Sequence, residues 1–318
     1  MLAPTLELSP TARDGASPPS PGPARGHRSS AARRTAASGT IERVLSQEFS
    51  WRGRSVRWDH AGSGPAVVFC HGTPWSSELW RPIAEALAPF FSVYLWDMPG
   101  YGESSKHPEH RVSLDVQGEL FSDLLALWGL ESPNVVAHDF GGAVALRSQL
   151  LHGRRFATLA LVDVVALRPW GSDFFRLVAE HPDVFSRLPP AVHEGALQAY
   201  IRGASHRGLA PDALDSLSSP WLDELGQAAF YRQIAQADEA YTDAIQSLYR
   251  TIDAPVLVVW GRDDAWIPVE RAHRLSELIP GARLQIIERA GHLVQLDQPA
   301  ALATALTHWL MASTDPTR

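Results

Sequence analysis

Apolar residues of the chain fall into short runs separated by segments with helical periodicity. Six of these runs are rich in Val, Leu and Ile and nearly continuous, as strands covered on both faces of a sheet should be. They lie at residues 66–70, 92–96, 134–137, 158–162, 255–260 and 284–287. Two earlier runs, at residues 43–50 and 55–60, are typical of an opening hairpin.

Helical patterns fill most of the gaps between these runs. They predict helices near residues 77–88, 113–128, 141–151, 268–278 and 299–311. Strands that alternate with helices in this way indicate a mainly parallel sheet with helices on both sides. We therefore predict an α/β fold with an eight-stranded, mostly parallel sheet.

The alternation stops between residues 166 and 251. This stretch is longer than a single crossover and carries helix-like pieces with many aromatic residues. We predict that residues 166–251 form a helical cap, inserted into a core domain made of residues 41–165 and 252–318. Most aromatic side chains of the cap are expected to pack in the cap's own core.

Residues 1–40 have a different composition, rich in Ala, Pro, Ser, Gly and Arg. Such a segment buries too little apolar surface to offset its conformational entropy. It predicts a disordered N-terminal extension, or a start codon placed too early. It lacks the apolar run of a secretory signal, and no segment of the chain approaches the roughly 18 apolar residues of a membrane span. We expect a cytoplasmic protein without a membrane partner.

Charge and cysteine content narrow the function further. The net charge of −7 argues against a general nucleic-acid binder. Cys70 is the only cysteine of the 318 residues, which excludes an internal disulfide and a cysteine–metal cluster. Its apolar neighbours indicate a core position. We expect neither a metal nor an organic cofactor, and the sequence leaves the oligomeric state open.

The segment Ala137-His138-Asp139-Phe140-Gly141-Gly142 carries the main chemical signal. A buried strand runs directly into small residues and then into a helix. A tight turn of this kind needs small neighbours and holds its central residue in a strained conformation above the sheet. Asp139 occupies that central place. The alternative is that Asp139 is only a helix N-cap, a position that Asp favours.

Three further motifs follow strands of the predicted sheet. His71-Gly72-Thr73-Pro74 comes after the first long buried strand, and Asp97-Met98-Pro99-Gly100-Tyr101-Gly102 after the next. We assign the second of these to tight turning rather than to catalysis. Asp264 follows the penultimate strand in a G-x-x-D-x-x-x-P pattern, and His292 follows the last strand, before Asp297-Gln298-Pro299.

In combination these motifs resemble the α/β-hydrolase fold, from about residue 41 to the end of the chain. The sequence Ala-His-Asp-Phe-Gly-Gly is similar to the G-H-D-x-G-G elbow of epoxide hydrolases and haloalkane dehalogenases, with Ala137 in place of the first glycine. The resemblance implies a catalytic triad of Asp139, His292 and Asp264. It also implies an oxyanion hole made of the amides of Thr73 and Phe140.

The resemblance further implies a cofactor-free hydrolase that works through a covalent alkyl ester on Asp139. We expect an epoxide hydrolase that converts an apolar epoxide and water to a diol. Phe230-Tyr231-Arg232 resembles the Tyr-Arg segment of the epoxide hydrolase cap, so Tyr231 is the first candidate to bind substrate there. The second tyrosine is Tyr200, Tyr241 or Tyr249.

Several alternatives remain open in the sequence. A haloalkane dehalogenase is the nearest, although Phe140 and Thr73 stand where that family places halide donors, so Trp170 or Trp221 of the cap would have to substitute. The absence of arginine beside Asp139 disfavours an anionic haloacid substrate. Other possibilities are an ester or lactone hydrolase and a ligand-binding member without turnover. Asp163, directly after the strand at 158–162, is the alternative triad acid.

Overall fold

Eight strands form one sheet in the computed structural model, which describes residues 44–313. The strands follow the order β1-β2-β4-β3-β5-β6-β7-β8 across the sheet. Their bounds are β1 Gln47–Trp51, β2 Arg54–Ala61, β3 Ala66–Cys70, β4 Ser92–Trp96, β5 Asn134–His138, β6 Thr158–Val162, β7 Val256–Gly261 and β8 Arg283–Ile287.

The direction of the strands brings the ends of several of them to one edge of the sheet. Strand β1 is antiparallel to β2, and β2 is antiparallel to β4. All other neighbours are parallel. The carboxyl ends of β3, β5, β6 and β7 therefore lie side by side, where ligands bind in open α/β sheets.

Helices connect the strands and cover the sheet. Those of the core are α1 Arg81–Leu87, α2 Leu114–Leu127, α3 Phe140–His152, α10 Glu270–Leu278, α11 Val294–Asp297 and α12 Pro299–Ser313. Between β6 and β7 lie α4 Asp173–Glu180, α5 Pro182–Phe185, α6 Pro190–Arg202, α7 Pro211–Ser218, α8 Glu224–Ala235 and α9 Ala240–Gln246. We call residues 166–251, which include α4 to α9 and no strand, the cap segment.

The two faces of the sheet bury separate sets of side chains. Along β3, Val68 and Cys70 belong to one hydrophobic cluster, while Val67 and Phe69 belong to the other. This alternation follows from the two-residue period of a strand. Cys70 is fully buried, as its apolar neighbours predict.

The predicted fold class is confirmed, down to eight strands and their mostly parallel arrangement. The predicted strands agree with the observed ones within a few residues. The segment at 77–88 differs, because residues Ser77–Leu79 form a 3-10 turn and the α-helix begins only at Arg81. Residues 1–40 lie outside the described part of the chain. No helix between residues 44 and 313 is long and apolar enough to cross a membrane.

Candidate active site

Asp139 lies in a sharp turn between β5 and α3. Its backbone has φ 49° and ψ −121°, a conformation that non-glycine residues seldom adopt and that costs conformational energy. Two hydrogen bonds hold the turn, because the carbonyl oxygen of Asp139 accepts from the amides of Gly142 at 2.9 Å and Val165 at 3.0 Å. The turn presents the Asp139 side chain at the carboxyl edge of the sheet.

Two glycines make room for this turn. A Cβ atom on Gly141 would lie 2.5 Å from the carbonyl oxygen of Cys70, and one on Gly72 would lie 2.3 Å from Cβ of Asp139. Real Cβ atoms do not approach so closely, so both positions require glycine. The small residues of the two motifs thus let the β3 loop pack directly against the Asp139 side chain.

Asp139 is the N-cap residue of α3 by position, but its side chain does not cap the helix. Instead Oδ1 accepts a 2.6 Å hydrogen bond from the backbone amide of Thr73. The carboxylate therefore points across the turn toward the β3 loop and away from the helix that it precedes.

His292 and Asp264 lie next to the Asp139 carboxylate. Nε2 of His292 is 3.5 Å from Oδ2 of Asp139, and Nδ1 is 2.9 Å from Oδ2 of Asp264. The other oxygen of Asp264 accepts from the amides of Trp266 and Ile267, at 2.8 and 2.9 Å. Asp264 is thus fixed by backbone donors and orients the imidazole toward Asp139, as the triad prediction requires.

The charges around His292 favour its protonated form. Burial opposes that form, but the carboxylates of Asp264 and Asp139 outweigh it and raise the pKa of His292 well above its ordinary value. Loss of the negative charge on Asp139 would lower the pKa of His292 again.

Asp163, the alternative acid, occupies a different place in the network. It is fully buried with φ 46°, and its Oδ1 accepts a 2.9 Å hydrogen bond from the amide of Gly261. Burial, followed by the negative charge of Asp264, raises its pKa well above the ordinary range. The structure therefore places Asp264 on Nδ1 of His292 and leaves Asp163 behind it as a carboxyl that favours its neutral form.

Two backbone amides lie next to Asp139 in space or in sequence, on different elements. The amide of Thr73 already binds Oδ1 of Asp139. Phe140 is the first residue of α3, so its amide has no acceptor within the helix. These are the two amides that the sequence predicts to form an oxyanion hole, and that role stays a prediction.

A small cavity has Asp139 in its wall. Among residues 44–313 no lysine or arginine lines it, and aromatic side chains dominate its wall. The lining consists of Thr73, Asp139, Phe140, Val165, Trp170, Gly171, Ser172, Phe175, Tyr200, Trp266 and Ile267. Trp266 lies against His292, with ring centroids 4.9 Å apart, and so closes the cavity beside the histidine.

The position of Tyr231 corrects a prediction. Its side chain is fully buried within the cap segment, its hydroxyl pairs with Nδ1 of His193 at 2.9 Å, and it does not line the cavity. The tyrosine that lines the cavity with Asp139 is Tyr200, on α6. Of the other candidates, Tyr249 donates to the carbonyl oxygen of Ala166 at 2.8 Å, and Tyr241 is absent from the lining.

Two residues near the triad had no assigned role in the sequence. Nε2 of His138 lies 3.0 Å from the carbonyl oxygen of His292, and their rings are 4.8 Å apart. Burial and the nearby His292 lower the pKa of His138 to about 3, so it stays neutral and donates to that carbonyl. Trp266 stands two residues after Asp264, a spacing that could have placed it near the histidine.

Between residues 44 and 313, no group of three or more His, Cys, Asp or Glu side chains is arranged to hold a metal ion.

A model of the α/β hydrolase fold family matches residues 65–299. This chain belongs to that family. The match spans β3 to the start of α12 and therefore includes the loops that carry Asp139, Asp264 and His292. Our chain is a hydrolase of the α/β hydrolase fold.

Solved structures of other family members show the same fold. An α/β hydrolase fold protein from Burkholderia ambifaria is 42% identical with a TM-score of 0.81, and the match covers 85% of our chain and 98% of that one. The haloalkane dehalogenase DatA from Agrobacterium tumefaciens C58 is 22% identical with a TM-score of 0.72, over 84% and 96%. The epoxide hydrolase CorEH is 18% identical with a TM-score of 0.72, over 84% and 98%. At these last identities the likeness is one of fold alone.

Proposed function

We propose that this α/β hydrolase is an epoxide hydrolase with Asp139 as its nucleophile. The observation that carries the proposal is the Tyr200 hydroxyl. Tyr200 lines the cavity together with Asp139, and its hydroxyl has no hydrogen-bond partner among the described residues. A free O–H donor above an ionised carboxylate suits an epoxide, whose ring oxygen gains negative charge as a carbon is attacked.

The first half-reaction would form an ester and open the ring. Oδ2 of Asp139, the oxygen not bound to Thr73, attacks an epoxide carbon and breaks its C–O bond. The released oxygen takes the proton of Tyr200. Burial, and then the charge of Asp139, raise the pKa of Tyr200 well above its ordinary value. Ester formation removes that charge, so Tyr200 becomes a better acid as the epoxide oxygen needs its proton.

The second half-reaction would release the diol. The proton of the imidazolium at His292 passes to the Tyr200 phenolate, which leaves His292 neutral. His292 then takes a proton from water, whose oxygen attacks the carbonyl carbon of the Asp139 ester. The amides of Thr73 and Phe140 stabilise the oxyanion, and Asp264 stabilises the imidazolium that forms again. Collapse of this intermediate breaks the ester C–O bond, and the departing alkoxide takes the remaining proton of the attacking water. This releases the diol and restores the carboxylate of Asp139.

The cavity wall limits the substrate to a neutral molecule with apolar groups. Aromatic rings of Phe140, Trp170 and Phe175 form part of the wall, and no basic side chain of the described part of the chain lines it to pair with an anion. A small epoxide with an apolar or aromatic substituent fits this wall.

Haloalkane dehalogenation is the second candidate, because two residues, one close to Thr73 in sequence and one bonded to it, carry buried N–H donors without an acceptor among residues 44–313. They are Nε1 of Trp75 and Nε2 of Gln233, whose Oε1 accepts from the Thr73 hydroxyl. The cap tryptophans considered from the sequence are already engaged: Trp170 donates to Thr242 and Trp221 to the carbonyl of Pro74. An ester or lactone hydrolase and a non-catalytic binder have no such specific support.

The intact mass of a His292→Gln variant tests the proposal. Without its base the second half-reaction stalls, so the ester on Asp139 should accumulate. The probes are styrene oxide and 1-bromobutane, applied separately. A His138→Gln variant serves as the matched control, since it changes a buried histidine beside the triad that has no role in activating water.

An adduct with the whole mass of styrene oxide, absent from a His292→Gln/Asp139→Ala double variant, is the expected result. An adduct of the butyl group alone, with none from the epoxide, would overturn the proposal in favour of dehalogenation. Absence of both adducts, together with absence of diol from the wild-type protein, would refute both candidates.

A further inference from the structure

Asp297 joins the loop of His292 to the cap segment. It is the last residue of α11 and is 2% exposed. Its carboxylate accepts four hydrogen bonds, two on each oxygen. Oδ1 accepts from the Ser205 hydroxyl at 2.5 Å and the Arg207 amide at 3.3 Å, and Oδ2 accepts from the amides of His206 and Gly291, both at 2.8 Å.

Three of these four donors come from the cap segment. Ser205, His206 and Arg207 lie in the loop after α6, whereas Gly291 directly precedes His292. A carboxylate has about four acceptor sites, so Asp297 is saturated. Three of the four hydrogen bonds of the Asp297 carboxylate therefore bind the cap loop, and only one binds the loop that contains His292.

Two further contacts join the same segments. The amide of Leu293 donates to the carbonyl oxygen of Ala204 at 3.0 Å, and the Arg207 guanidinium donates to the carbonyl oxygen of Asp297 at 3.1 Å. A Cβ atom on Gly291 would lie 2.8 Å from the Ala204 carbonyl oxygen. The cap loop thus packs against the backbone on both sides of His292.

We propose that Asp297 is a positioning residue that locks the end of α6 onto the His292 loop. Tyr200 lies on α6, three residues before Gly203 and the latched loop. The latch fixes the proton donor of the cap relative to the base of the core. Only the chemical role given to Tyr200 rests on the proposed function; the latch itself is a property of the free protein.

Hydrogen exchange of the free protein tests the latch without any substrate. In an Asp297→Asn variant, exchange should rise by about tenfold at amides 204–207 of the cap and at 291–293, because hydrogen bonds to a buried charge are lost. Asp263→Asn is the matched control. Asp263 lies at the same boundary, 3.7 Å from the His206 ring, but its side chain is 37% exposed.

A Ser205→Ala variant gives a reciprocal test. Its expected result would not arise if Asp297 had only a local structural role. It changes only the cap side, yet exchange at 291–293 in the core should also rise, since coupling between two sites acts in both directions. Faster exchange confined to residues 291–297 in Asp297→Asn, with 204–207 protected as in wild type, would overturn the proposal. So would an unchanged 291–293 in Ser205→Ala.

Turnover separates this proposal from the epoxide proposal. If both hold, Ser205→Ala should lower kcat by about tenfold or more at an unchanged melting temperature, because displaced reacting groups lose rate steeply. Reciprocal exchange without any epoxide adduct in His292→Gln would retain the latch and refute the epoxide. An epoxide adduct in His292→Gln without reciprocal exchange would retain the epoxide hydrolase proposal and refute the latch.

Discussion

The phenol ring of Tyr200 stacks on the indole of Trp266, with centroids 4.3 Å apart and planes within 20°. Trp266 is also in contact with the ring of His292 and stacks on Trp75 on its other side. Trp266 follows Asp264 in the same loop, so one core loop supports both the orienting acid and the cap tyrosine. The proposed proton donor and the proposed base therefore share one wall.

Loss of the Tyr200 hydroxyl should slow epoxide opening. A Tyr200→Phe variant keeps the stacked ring but removes the free donor over Asp139. We expect the rate of ester formation from styrene oxide to fall by about 10²-fold or more, the usual contribution of a positioned acid. Stopped-flow or quenched-flow measurement of the single-turnover rate checks this, with 1-bromobutane, if it reacts, much less affected because halide needs no proton.

Tyr231→Phe is the control for that experiment. Its hydroxyl pairs with His193 inside the cap, so its removal should lower stability without a selective effect on the epoxide. An equal loss with both variants would show that Tyr200 acts through packing of the cap. A selective loss with Tyr231→Phe alone would restore the original assignment from the sequence.

The two buried acids should respond differently to the same substitution. Asp264→Asn removes the charge on Nδ1 of His292 and should reduce kcat by about 10³–10⁴-fold, as in other triads. Asp163→Asn replaces a carboxyl whose raised pKa already favours its neutral form, so kcat should stay within about threefold of wild type. The stability of Asp163→Asn at neutral pH should equal or exceed that of wild type, measured by urea unfolding.

That stability expectation follows from the sign of the pKa shift. A carboxyl with a raised folded-state pKa disfavours the folded state once pH exceeds its unfolded value of about 3.9. The penalty grows until pH passes the folded pKa, and Asn does not carry it. A severe loss of kcat in Asp163→Asn together with an active Asp264→Asn would assign the triad acid to Asp163 instead.

The fold was predictable because its signals are local and repeated. Buried strands such as Ala66–Cys70 and Thr158–Val162 are continuous apolar runs, and the helices between them have a clear period. The triad was predictable in position for a related reason. Asp139, Asp264 and His292 each lie in the loop that follows a strand, and parallel strands place those loops along one edge.

The cap could not be predicted to the same depth. Tyr200 and Tyr231 both stand in helices with similar surroundings, and their orientation depends on how α6 and α8 pack. His193, whose Nδ1 is hydrogen-bonded to the Tyr231 hydroxyl, is 38 residues away from Tyr231 in the sequence. Such pairings are set by tertiary packing, which single-sequence patterns do not contain. The latch at Asp297 is likewise visible only once Ser205 is placed beside it.

If Asp139 is the nucleophile, its replacement should reduce turnover, and oxygen from water should enter its carboxylate. Asp139→Ala should reduce turnover by about 10⁴-fold or more, since it removes the group that bonds to the substrate. In a single turnover of wild type in ¹⁸O-labelled water, the label should appear in the Asp139 carboxylate and not in the first diol formed. Mass spectrometry of the peptide that contains residues 134–147 measures this. Label in the first diol would show direct attack by water.

The ion pair at His292 should make stability depend on pH. Its pKa is raised in the folded protein, so its contribution to stability is complete below the unfolded value of about 6.5 and is lost as pH rises through the folded pKa. The unfolding free energy of the wild-type protein minus that of His292→Gln should therefore be larger at about pH 6, which lies below the unfolded pKa of histidine, than at alkaline pH. Urea denaturation across this range measures the difference.

Asp264 provides the control for this dependence. It is the strongest of the groups that raise the pKa of His292, ahead of Asp139. In an Asp264→Asn background, the loss of stability caused by His292→Gln should therefore depend less on pH than in the wild-type background. The difference between these two pH profiles isolates the interaction of His292 with Asp264. An unchanged slope in that background would mean that Asp139 alone holds the proton on His292. A slope of opposite sign in the wild-type background would mean that His292 is neutral in the resting enzyme, so that no proton would remain on it for the Tyr200 phenolate.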